Sequence, residues 1–216
     1  MDLAKAGVRA LGVAESYRGR SDGGVDGNAT EGDGDGAEER EPSRIAGVAM
    51  RADGRIDGVR VGDVTVGGLD ATEGIAALWR RFDREDLQAV IVGGLAIAWY
   101  NVIDLEALHG DLGVPVVSVT YEASPGLADA LRRQLDGEAL EERLAIYRRH
   151  EDREPVALET GETAYVRAAG LGSDDAARLV DRFTTHGKRP EPVRVARTVA
   201  HAVDDYVRGT GGEERP

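Results

Sequence analysis

The segment that most restricts the fold is Leu87 to Asp104, LQAVIVGGLAIAWYNVID. Ala89-Val90-Ile91-Val92 is a dense apolar run with no alternation, the pattern of a strand buried on both faces near the middle of a sheet. It stops at Gly93-Gly94, passes into an aromatic loop, Trp99-Tyr100-Asn101, and leads to a helix near Asp104. In open α/β sheets ligands collect beyond the carboxyl ends of such strands. The chain therefore marks a place for a site, and it puts two glycines and no acid there.

The rest of the chain supplies the partners of that strand. Gly7 to Ser16 reads as a first strand. Ile45 to Arg51 and Arg55 to Val66 read as a hairpin, because Asp53-Gly54 is a strong turn signal between strands. Ile75, Leu78, Trp79 and Phe82 recur at helical spacing, which predicts a helix over Ala71 to Phe82 with Asp70 as N-cap. A strand over Val114 to Val119 follows the helix at Asp104. Leu127, Leu131 and Leu135 mark the next helix, and Leu140, Leu144 and Tyr147 another. Residues 151 to 162 read as a polar connection, Ala164 to Ala168 as a strand, and Asp174 to Phe183 and Pro192 to Arg208 as closing helices. These elements make one domain of 216 residues, long enough to bury a sizeable core. Residues 19–41, rich in Gly, Asp and Glu, are too polar to pack and are expected to be a disordered acidic insert.

Several chemistries are excluded. Cys is absent, so disulfides and thiolate zinc sites cannot form. The four histidines, His109, His150, His186 and His201, lie at no metal-binding helical spacing, and each reads as a surface or cap residue. No phosphate-binding GxxxxGK[ST] and no GxSxG occurs. Gly170-Leu171-Gly172 precedes a helix but lacks the third glycine of a dinucleotide loop, and Asp174 and Asp175 would repel a pyrophosphate; Ser173 reads as an N-cap. No apolar run approaches a membrane span, and the first residues lack a signal-peptide core, so a cytoplasmic protein is expected.

Net charge is −13, yet all but two of the 27 basic residues are arginine, Lys5 and Lys188 being the exceptions. Abundant acid with almost no lysine points to a salty, halophilic cytoplasm. There the Debye length falls to ~3 Å at 1 M salt, so the overall charge says little against nucleic acid as a partner.

Gly94 to Asp104 followed by Leu108 to Val117 resembles the archaeal family related to endonuclease V that is labelled endonuclease dU. Gly12-Val13-Ala14-Glu15-Ser16, Asp70-Ala71-Thr72-Glu73 and Arg189 to Ala196 agree with the same family, in the same order. The resemblance implies a ribonuclease H-like α/β fold: a mixed sheet with an antiparallel hairpin followed by parallel strands, and helices on both faces. It also implies nucleic-acid cleavage at altered bases with carboxylate-bound Mg²⁺ or Mn²⁺. In those nucleases an Asp comes from the first strand, a Glu from the helix after the hairpin and an Asp from the end of the central strand. This chain has Ala14 and Gly93 at the two Asp positions and keeps Glu73, the expected metal ligand, with Asp70 beside it. Glu15 is the remaining candidate acid, but strand alternation turns it away from where residue 14 points. The catalytic candidates are thus Glu73, Asp70 and Glu15, and cleavage is expected to be weak or altered. Asp70 and Glu73 serve equally well as first-turn residues of a helix. A non-catalytic relative that binds nucleic acid or protein is the alternative.

Lys188, Arg189 and Arg194 cluster at a helix opened by Pro192, where cations oppose the helix dipole. A phosphate would account for them, as would a solvated loop with Glu191 as counter-charge. Tyr100 is available to stack on a base, Trp99 is expected in the core, and Asn101 is expected to cap the helix at Asp104.

Overall fold

The computed structural model describes residues 7–17, 42–124, 126–150 and 152–210. The expected insert at 19–41 lies outside them. Seven strands form one sheet: β1 (Arg9–Glu15), β2 (Pro42–Arg51), β3 (Ile56–Thr65), β4 (Ala89–Val92), β7 (Val116–Thr120), β8 (Glu154–Ala157) and β9 (Thr163–Ala169). Their spatial order is β3-β2-β1-β4-β7-β9-β8. The outer pairs on each side are antiparallel, and β1, β4 and β7 run parallel at the centre. All four residues of β4 are buried, as a strand covered on both faces requires. A second, two-stranded ribbon, β5 (Ala96–Ile97) with β6 (Asn101–Val102), stands beyond the end of β4.

The period-2 alternation of β1 divides the core. Leu11 and Val13 face α1 (Ala71–Arg80), α2 (Leu105–Leu112), α3 (Ala128–Gln134) and α4 (Gly137–Arg149), whose Ile75, Leu108, Leu131 and Leu144 fill that side. Ala10 and Ala14 face α5 (Ser173–Arg182) and α6 (Glu191–Thr210), through Leu179, Val193, Ala196 and Ala200. Each fully buried Leu or Ile contributes roughly 1.5–3 kcal/mol by leaving water, so both helical layers are held chiefly by these stripes. The β2–β3 hairpin turns where Asp-Gly was expected, with Gly54 at φ 86° and the Asp53 carboxylate accepting the Arg55 N–H. No helix among the described residues is long and apolar enough to cross a membrane.

Three local expectations change. The polar stretch 151–162 contains β8, an edge strand whose exposed Glu154 and Pro155 hide its pairing from any periodicity. Helix α1 ends at Arg80, and Phe82 packs from the turn that follows. Gly172, not Ser173, is the N-cap of α5, because the Ser173 hydroxyl donates to Glu154 instead.

Candidate nucleic-acid interface

β1, β4 and β7 finish at one end of the sheet, with Val13 beside Val92 and Val92 beside Ser118. The first turn of α6 lies over this end on the Ala14 face. A methyl at Gly12 would fall within 2.6 Å of three atoms of Pro192, and one at Gly93 would sit 3.0 Å from Val193 Cγ1. These two glycines let the helix settle directly on the strands.

Glu15 faces the opposite side, as alternation requires. Its Oε2 accepts the Ala98 N–H at 2.5 Å and the Ser43 hydroxyl at 3.4 Å. Burial pushes its carboxyl up to about 7, against the opposing pull of those hydrogen bonds and of Arg197. The bonded N–H opens the three-residue tip of the β5–β6 ribbon, where Ala98, Trp99 and Tyr100 hold φ of 42°, 57° and 61°. Three successive non-glycine residues in the left-handed region are costly and persist only when neighbours fix them. Here Gly67 N–H donates to the Ala98 carbonyl at 2.7 Å, and buried Arg143 donates to the carbonyls of Tyr100, Gly67 and Gly68. Tyr100 and Trp99 are half-buried and meet edge to face, ring centroids 5.6 Å apart. Trp99 packs on Gly67.

Asp70 and Asn101 tie the ribbon to α1. The Asp70 carboxylate turns back to the Thr65 N–H and hydroxyl and accepts Asn101 Nδ2 at 2.6 Å. Burial would raise this carboxyl, but the Thr65 and Asn101 hydrogen bonds outweigh it and hold it below the usual carboxylate range. Asp70 occupies the N-cap position without capping. Fully buried Asn101 caps α1 in its place, accepting the Ala71 N–H at 2.9 Å, while Asp104 caps α2 through the Ala107 N–H. His150 Nε2 lies 3.2 Å from the Leu105 N–H and 3.1 Å from Asp104, at the start of α2, in a cap position as expected.

Glu73 is exposed and pairs with Arg80 at 3.0 Å, and Arg80 in turn reaches Asp111 on α2. Glu15, Asp70 and Glu73 thus each have separate partners. Among the described residues no three His, Cys, Asp or Glu side chains are disposed to hold a metal ion. Mg²⁺ needs oxygen ligands. Residue 14 offers a methyl against α6, residue 93 offers hydrogen, and Val193 crowds the space where a side chain at 93 would begin. The described residues do not fit a divalent cation at this end of the sheet.

They bring cations there instead. The Arg189 guanidinium lies 4.7 Å over the Tyr121 ring, and Lys188 Nζ reaches the Tyr121 carbonyl at 3.5 Å, with Glu162 and Glu122 at 3.6 and 3.9 Å. Arg197 from α6 exerts its charge on both Tyr121 and Glu15. Burial pushes the Tyr121 hydroxyl up, opposed by Arg189 and Arg197. Arg194 does not join this group: it pairs with Glu191 at 2.6 Å. Tyr121 and Arg197 were not singled out from sequence. Tyr121 directly follows β7, so the rule that drew attention to the end of β4 could have found it.

Sheet order and crossover helices make a ribonuclease H-like α/β fold, the fold of solved endonuclease V structures. Residues 6–204 match the Endonuclease dU family, and the chain belongs to it. It is 35% identical over 165 residues to a UPF0215 protein of Pyrobaculum calidifontis, covering 76% of this chain and 90% of that one. A protein of unknown function from Archaeoglobus fulgidus superposes with a TM-score of 0.70 at 23% identity, covering 91% of this chain and 98% of that one. Endonuclease V of Ciona intestinalis, in complex with a 23mer DNA containing an inosine followed by a ribo-adenosine, gives 0.58 at 12% identity, covering 92% and 86%.

Proposed function

We propose that this protein is an endonuclease V-like nucleic-acid-processing protein that takes strands carrying an altered base at the carboxyl ends of β1, β4 and β7, with cleavage weak or altered relative to endonuclease V. The carrying observation is the pair Lys188 and Arg189 seated on Tyr121 at that end, in a chain whose fold is shared with a DNA-bound endonuclease V. Arg is suited to bidentate phosphate contact and Lys to a point contact. Tyr100, at the tip of the strained ribbon, is the base-stacking residue in this reading. Glu73, Asp70 and Glu15 are the acids available to it, and Mg²⁺ or Mn²⁺ enters only if cleavage occurs. A salty cytoplasm belongs to the same reading, as the nearly lysine-free basic set suggests.

A second reading, a non-catalytic binder, is favoured by one specific observation: Glu73 is engaged with Arg80 while Ala14 and Gly93 are covered by α6. Incubation with uracil- or inosine-containing strands and Mn²⁺ at high KCl separates the two. Cleavage abolished by Glu73→Ala supports the enzyme. Base-dependent binding without cleavage supports the binder. No binding to any strand by the folded protein refutes both.

A further inference from the structure

At the place where a metal-dependent relative would gather carboxylates, this chain sets the Arg189 guanidinium over a phenol, with the charge of Arg197 on α6 acting on the same hydroxyl. Pro192 covers Gly12 with its Cβ and backbone carbonyl and Val193 covers Gly93, so the first turn of α6 occupies the floor. Tyr121 rises beside them; a methyl at Gly93 would lie 4.0 Å from its hydroxyl. That hydroxyl is buried and makes no well-aligned hydrogen bond among the described residues, the donor beside it being Arg189, whose guanidinium opposes the upward push of burial. A native structure seldom leaves such a group unmet unless a ligand or water completes it. Arg189 lies across the ring, and neither Arg189 nor Arg197 forms an ion pair with a carboxylate among the described residues. Lys188, by contrast, is partly neutralised by Glu162 and Glu122.

We propose that Tyr121, Arg189 and Arg197 form a phosphate-binding site that works without a divalent cation, replacing metal-mediated capture of the strand by direct contact. The proposal rests on the nucleic-acid reading above for the source of the phosphate, a phosphodiester. In the bound state Arg189 swings off the ring, a phosphate oxygen accepts the Tyr121 hydroxyl, and both guanidiniums donate to the remaining oxygens. The charge needed to hold the anion is supplied by the side chains, so chelation of divalent ions leaves binding intact. No bond in the ligand is made or broken.

The test uses the full chain and a fluorescein-labelled single strand, with anisotropy read in EDTA and in Mg²⁺ from about 0.2 M to about 1 M KCl. Inorganic phosphate serves as a second probe, followed by ³¹P line broadening. The expected result is strand affinity equal in EDTA and Mg²⁺, weakened about tenfold by Arg189→Glu or Arg197→Glu, with each lowering the salt slope by roughly 1. Tyr121→Phe, which keeps the ring and removes only the unmet hydroxyl, is expected to weaken binding about threefold and broadens phosphate less than wild type. Strand binding that requires Mg²⁺, or that all three variants leave unchanged, overturns the site while the nucleic-acid reading stands. Phosphate broadening lost in Arg197→Glu with no strand bound keeps the site and overturns the nucleic-acid reading. Absence of both signals overturns both. The melting temperature of each variant confirms folding, and Tyr121→Phe decides the matter if either charge reversal fails to fold.

Discussion

Gly12→Ala tests how closely α6 lies on the sheet. The added methyl would meet the carbonyl carbon, carbonyl oxygen and Cβ of Pro192, all within 2.6 Å, where ordinary carbon contacts need about 3.5–4.0 Å. The opposing atoms belong to the first turn of a 20-residue helix, and two of them are backbone, so no rotamer change relieves the clash. Either α6 retreats by on the order of 1 Å or β1 bows, and either movement loosens the packing of Val193, Ala196 and Ala200. Overpacking of this kind costs about 1–3 kcal/mol, and a backbone obstacle puts Gly12→Ala near the upper end. In a chain of this size each kcal/mol moves the melting temperature by about 2–4 °C, so the expected drop is about 6–12 °C. Gly93→Ala meets a movable Val193 methyl at 3.0 Å and should cost about 1 kcal/mol. Gly110→Ala, exposed within α2 with nothing near its added carbon, should gain about 0.5–1 kcal/mol. Calorimetry in one KCl buffer gives the three values. A Gly12→Ala variant melting no lower than Gly93→Ala would refute the close approach of α6 to β1.

Three other outcomes follow from the same contacts. The Glu15 carboxyl is raised from 4.5 to about 7, so the folded state keeps a proton that the unfolded chain releases; the contribution of Glu15 to stability is fully present below about pH 4.5, is lost as pH rises through about 7, and amounts to at most roughly 3 kcal/mol. Glu15→Gln should flatten that fall in urea titrations across this range, and an unchanged slope would count against the buried acid. Arg143→Met strips donors from the carbonyls of Tyr100, Gly67 and Gly68 and should cost roughly 3 kcal/mol, with altered Trp99 emission reporting the released ribbon; an unchanged spectrum and melt would refute its anchoring role. Glu73→Ala removes an exposed ion pair with Arg80 and should change stability by no more than about 0.5 kcal/mol, so any larger loss of strand cleavage is chemical.

What could be read from the chain beforehand divides along a physical line. Elements set by local periodicity were legible: the β4 run, the Asp53-Gly54 turn, the Ile75 and Leu78 stripe, and the opposite orientation of Glu15 and Ala14. Long-range pairing was not. The order β3-β2-β1-β4-β7-β9-β8 is chosen by which faces can be covered together, and single-chain patterns carry no such information. β8 was missed because an edge strand need not be apolar. The β5–β6 ribbon was missed because its tip is held in the left-handed region by Glu15, Gly67 and Arg143, residues remote in sequence.

The site was legible only as a location. Asn101 illustrates why. Three residues before Asp104 it reads as a cap for the next helix, yet it caps α1, thirty residues earlier, because β6 carries it across the β3–α1 junction. Asp70, freed from capping, then closes the Thr65 turn. Each residue does familiar hydrogen-bond chemistry; only the partner is set by the fold. Lys188 and Arg189 behave likewise: as a sequence they read equally as a solvated loop or a phosphate contact, and the approach of Tyr121 from β7 is what distinguishes them from Arg194, a few residues on, which closes on Glu191. Side chains that find an acid on their own element are spent locally. Those carried to a strand end without one retain charge for something outside the chain, and on that distinction Arg189 and Arg197, rather than Arg194, are the cations to test first.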